Sequence, residues 1–78
     1  MIGWWRSLQG SIINHQGISF FNRGEYQRAI AKYNKAIEVS PDMAGIYMNR
    51  ANAYDQLGDH EHAIMDYNRA IELSPISH

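Results

Sequence analysis

Residues 33–41 read YNKAIEVSP, and residues 67–75 read YNRAIELSP. Seven of these nine positions are identical, and the two changes, Lys35/Arg69 and Val39/Leu73, keep charge and apolarity. Sliding the chain over itself by 34 residues extends the match outward. Ile12, Gly24, Ala29 and Ile30 recur as Ile46, Gly58, Ala63 and Ile64, and Phe20/Tyr54 and Glu25/Asp59 are conservative pairs. A fixed period of this length is the signature of a repeat architecture. The units expected are residues 10–43 and 44–77, preceded by an extension at 1–9 that continues or caps the first helix.

Within each unit the spacing predicts helix, turn, helix. In the second unit Ile46, Tyr47, Ala51, Tyr54 and Leu57 fall on one helical stripe. Asp42, just after Pro41, is expected to cap that helix, and Asp59 the next one. Gly24 and Gly58 break each hairpin, because glycine accepts the left-handed conformation that follows a helix. Ala63, Ile64, Tyr67, Ala70 and Ile71 form the stripe of the last helix, and Pro41 and Pro75 stop the second helix of each unit. No strand pattern competes, so the fold class expected is all-α, two helix-turn-helix hairpins stacked as a short α-solenoid.

A 34-residue helical hairpin with small residues, an aromatic and a proline at set positions resembles the tetratricopeptide repeat. The Ala-x₃-aromatic…Pro half of that motif is matched by Ala29, Tyr33 and Pro41, and again by Ala63, Tyr67 and Pro75. The Gly-x₂-aromatic half is matched by Gly17 and Phe20, and more loosely by Ala51 and Tyr54. The family's Trp and Leu positions hold Ile13 and Gln16 in one unit, Tyr47 and Arg50 in the other. The resemblance implies a right-handed solenoid and a protein-interaction module. Its concave groove would be lined by Asn14, His15, Ile18, Phe21 and Asn22, then Met48, Asn49, Asn52, Asp55 and Gln56. Carboxamides in such a groove can both donate to and accept from the backbone of an extended peptide. Family members that clamp acidic chaperone tails use Lys and Asn side chains across three repeats. Here Asn49 matches such an Asn, but Asn14 and Ile18 replace the first repeat's Lys and Asn, so chaperone-tail binding is not expected.

Composition bounds the alternatives. The chain has 78 residues, 45% of them hydrophobic and 19% charged, which describes one small globular domain. A net charge of −1 offers no case for nucleic acid or an anionic membrane. The absence of cysteine removes thiolate metal sites and thiol nucleophiles and fits a cytoplasmic setting. No apolar run is long enough to span a membrane. His60 and His62, two residues apart on a helix, point away from each other and cannot chelate one metal. Asp55, Asp59, Glu61 and Asp66 read as ordinary helix-surface charge, and Gly24 and Gly58 are isolated turn glycines rather than a phosphate loop. Neither an enzyme nor a cofactor is expected.

The ends carry a further expectation. The GWW at 3–5 does not continue the repeat, so Trp4 and Trp5 are expected to extend the first helix and cover one end of the stack. Ile64, Tyr67, Ile71 and Leu73 at the other end are residues that a following helix would cover, since repeats bury their apolar faces on neighbours. Self-association is therefore expected as a dimer, by end-to-end stacking or by swapping a hairpin about Pro41–Asp42. The other explanation is a piece of a longer array. A purely structural role, in which copies stack on copies, is the rival to the groove.

Overall fold

The computed structural model describes residues 3–74, which form four helices in chain order: α1 Gly3–Asn22, α2 Tyr26–Val39, α3 Ala44–Gln56 and α4 His60–Leu73. Pro75 and His78 lie outside the described residues. α1 packs against α2 and α3 against α4 as two antiparallel hairpins, and α2 packs across onto α3. α1 touches α3 lightly, and α4 touches only α3. The resulting slab measures 39 × 30 × 16 Å.

Both hairpin turns use the same device. Gly24 and Gly58 stand at φ +78° and +82°, the left-handed region that glycine enters without steric cost. Glu25 N–H donates to Phe20 O and Gly24 N–H to Phe21 O, each at 2.9 Å. Asp59 N–H to Tyr54 O and Gly58 N–H to Asp55 O repeat the pair at 2.9 and 3.0 Å. These are Schellman closures, which satisfy the last carbonyls of α1 and α3. Asp59 also caps α4, its carboxylate accepting from His62 N–H. The cap expected at Asp42 is not made. α3 starts one turn-residue later, with Met43 at the cap position and no side-chain bond there.

The core is small and made of small residues. Ala29, Ala36, Ala51 and Ala53 are fully buried, with Ala63 and Ala70 nearly so, which lets the helices approach closely. Tyr33 and Ile46 are the largest fully buried side chains. Ile30, Ile37, Met43, Ile18 and Phe21 pack around them. Leu57, assigned to the α3 stripe from spacing, is instead the exposed C-cap of that helix, and Ala53 takes the buried place. The link between hairpins is pinned by Tyr47, whose hydroxyl donates to Pro41 O at 2.8 Å.

Two closures differ between the hairpins. At Gly17 a Cβ would lie 2.5 Å from the Tyr33 ring, so only glycine lets α1 lie this close to α2. Gly10 likewise abuts Ser40, whose hydroxyl donates to Arg6 O at 2.6 Å. In the second hairpin those positions are Ala44 and Ala51, and Arg50 grips Asp66 instead. Nε–Oδ2 is 2.7 Å and Nη2–Oδ1 is 2.8 Å, a bidentate pair. Asp66 is 5% exposed, which corrects its reading as helix-surface charge.

Candidate functional site

Three residues of α1, two of α3 and one of α2 enclose a shallow cavity of about 220 Å³: Ile18, Phe21, Asn22, Asn49, Asn52 and Tyr33. Tyr33 is buried beneath it, Ile18 and Phe21 are half-buried, and Asn22 and Asn52 stand exposed. The helical repeat explains the arrangement: 18, 21 and 22 share one face of α1, as 49 and 52 share one of α3. The cavity is smaller than the roughly 300–1,000 Å³ usual for small-molecule sites, so it suits a single side chain.

Carboxamides border this apolar patch. Asn49 Nδ2 donates to Asn14 Oδ1 at 3.0 Å, joining α3 to α1. Asn52 Oδ1 accepts from the Tyr67 hydroxyl, which also reaches Asp55 Oδ2 at 3.3 Å. Desolvation, followed by the Asp55 charge, holds the Tyr67 hydroxyl above its ordinary pKa, and burial does the same to Tyr33. The Tyr67 hydroxyl is therefore a neutral donor to Asn52 across the physiological range.

Of the ten groove residues expected from the sequence, five line this cavity and Asn14 joins them through Asn49. Asp55 lies beyond, against His60, with Nδ1–Oδ1 at 2.8 Å. Met48 faces a different cleft, of about 280 Å³, with Ala44, Gly45, Ala70, Ile71 and Ser74. His15 and Gln56 are exposed on the outer parts of their helices. Tyr33 stands in the repeat motif and Tyr67 on the α4 stripe, and nothing in their spacing marks the place beside Asn49 and Asn52 that the structure gives them. The signal available was their position at the head of each duplicated stretch, where a long side chain can span a helix pair. Arg50 was also missed. It donates to Asn34 Oδ1 at 2.8 Å as well as to Asp66, so one guanidinium links α2, α3 and α4. The hydrogen bond to Asp66 is the main cause holding its pKa above the ordinary arginine value.

The residues named for self-association are placed as follows. Trp4, Trp5, Ile64 and Ile71 are 64%, 49%, 58% and 56% exposed, whereas Tyr67 and Leu73 are half-buried. Trp4 and Trp5 meet edge to face, with centroids 5.8 Å apart.

His62 stacks on Tyr54 and sets Nδ1 2.7 Å from Asp59 Oδ2. That bond and the His62 backbone N–H hold the Asp59 carboxyl below its ordinary pKa, the backbone bond contributing most. Another cleft, of about 510 Å³, opens beside Arg6, Pro41, Asp42 and Arg69, and Arg69 is engaged by Glu72 at 3.0 Å. Among the described residues no group of three His, Asp or Glu side chains is placed to hold a metal. No helix there is long and apolar enough to cross a membrane.

A family model described as TPR repeat matches residues 17–58, and a second, described as tetratricopeptide repeat, matches residues 44–76. No curated protein matches the chain significantly.

Proposed function

The chain belongs to the tetratricopeptide repeat family, and on that premise we propose that it binds an extended segment of a partner protein along the α1/α3 groove. Repeats of this family generally mediate protein–protein interaction and are typically not enzymes. The observation that carries the proposal is the cavity beside Asn49 and Asn52: an apolar side chain fits the space over Tyr33, while the amides hold the peptide backbone. The near-balanced charge favours a protein ligand over nucleic acid, and the cysteine-free composition suits the cytoplasm.

Selection from a displayed peptide library tests this. Enriched peptides should share an apolar residue and should lose affinity about thirtyfold on Asn49→Ala/Asn52→Ala, two hydrogen bonds of roughly 1 kcal/mol each being removed. Helical content should be unchanged. Peptides that bind the double variant equally well would overturn the groove reading.

A second reading, association with copies of the same chain, is favoured by the apolar surface at both ends of the slab, Ile12 on α1 and Ile64 and Ile71 on α4.

A further inference from the structure

The two exposed ends correspond to the two sides of the interface inside the chain. α2 packs on α3, and Tyr33 of α2 and Ile46 of α3 belong to one buried cluster against which Ile30 and Ile37 of α2 also pack. Arg50 of α3 completes the contact at Asn34. A shift of 34 residues forward turns the α2 side into Ile64, Tyr67, Ile71 and Asn68 of α4. The same shift backward turns the α3 side into Ile12 and Gln16 of α1. Exposure follows occupancy rather than sequence. Ile46 is 0% exposed and Ile12 is 51%; Ile30 and Ile37 are half-buried, while Ile64 and Ile71 are more than half exposed.

We infer that α1 of a second copy docks on α4 of the first in the register by which α3 docks on α2. Ile12 of one copy then takes the place that Ile46 holds within the chain, facing Ile64 and Ile71, and Gln16 reaches Asn68 as Arg50 reaches Asn34. Ser19 stands where the fully buried Ala53 stands, so that contact keeps a small residue. α1 is longer than α3 at its start, and its extra turns carry Trp5 and Leu8, 49% and 44% exposed. They precede Ile12 by seven and four residues, on the same helical face. In this register they run along the end of α4, where the 280 Å³ cleft beside Met48 and Ile71 lies.

The contact is heterologous: each copy contributes different faces, so every added copy leaves one α1 face and one α4 face unused. Its driving force is the one that holds any repeat stack together, since a single unit cannot bury its own apolar face. The inference rests on the self-association reading and is independent of the groove.

Complementary blocking tests it. Ile12→Asp and Ile71→Asp alter exposed positions, so both variants should keep the helical content of the parent. Sedimentation of the full chain should show weight-average mass rising past two copies as concentration rises. Each variant alone should remain a single copy through the high micromolar range. Mixed, they should form a one-to-one pair and nothing larger, because one supplies an intact α4 face and the other an intact α1 face. Asn49→Ala alone, which leaves the bond between Tyr67 and Asn52 in place, should associate like the parent. A parent that stays a single copy overturns the inference. So does a mixture that does not pair, or association surviving either blocking substitution, as a symmetric dimer or a hairpin swap would give.

Discussion

The first hairpin draws α1 onto α2 by leaving side chains out, whereas the second draws α3 onto α4 by a partly buried ion pair. Gly17 and Gly10 permit contact with Tyr33 and Ser40 that a methyl group would block. At the same places the second hairpin has Ala51 and Ala44, and Arg50 and Asp66 replace Gln16 and Lys32. The duplicated residues thus set the path of the chain, while the closure of each hairpin is free to differ. The tyrosines follow suit. Tyr33 is sealed under α1 at 1% exposure, whereas Tyr67 is half-buried and anchors its hydroxyl on Asn52 and Asp55.

The largest difference should appear on truncating the tyrosines. Tyr33→Ala is expected to cost roughly 3–5 kcal/mol, the usual loss for a buried aromatic, and to abolish a cooperative thermal transition in so small a chain. Tyr67→Ala should cost less than half as much in urea denaturation, and equal losses would contradict the asymmetry.

Breaking the ion pair tests the second hairpin on its own terms. Asp66→Ala leaves Arg50 without a counter-charge, bonded only to Asn34, and should cost about 3 kcal/mol. Arg50→Met/Asp66→Leu should cost less than either single change, because no charge is left stranded. Additive losses in that cycle would show that the pair acts only through packing.

Gly17→Ala sharpens the comparison further. Overpacking against Tyr33 should lower stability by about 1–3 kcal/mol, although alanine is the better helix former. The reciprocal Ala51→Gly should cost about 1 kcal/mol, from helix propensity and a lost methyl contact.

The smallest effect concerns pH at the start of α4. Asp59 has its pKa lowered in the folded chain, so its contribution is complete above the unfolded value, about 3.9 for aspartate, and is lost as pH falls through the lower folded value. Amide exchange at His62 and Ala63 should accelerate on acidification in the parent and be fast but pH-independent, after intrinsic correction, in Asp59→Ala. Glu25, at the matching place on α2, makes no such cap and pairs with Arg28 at 3.1 Å instead.

Much of this was legible from residue order. Gly24 and Gly58 marked the turns, because a left-handed residue after a helix is a local demand that glycine alone meets cheaply. Asp59 announced its cap for the same local reason. Asp42 did not cap, although it too follows a helix stop, since α3 begins only after Met43. Asp66 and Arg50 were illegible because sixteen residues separate them. Only the closure of the second hairpin brings the carboxylate under the guanidinium. The groove was half legible: its positions followed from helical spacing and family likeness, but Met48 turned out to face another cleft, and Tyr33 entered from a different helix.

The duplicated stretch with which the chain declares itself therefore determined period, hairpin boundaries and the small-residue core, all of which depend on neighbours within one or two helical turns. The tertiary structure decided which copies of a repeated residue are hidden. Ile12 and Ile46 are the same letter at the same repeat position, yet one is half exposed and the other fully buried, because burial is conferred by the helix that lies against it. Residue type sets what a face can bind, and packing alone decides which faces remain open to bind.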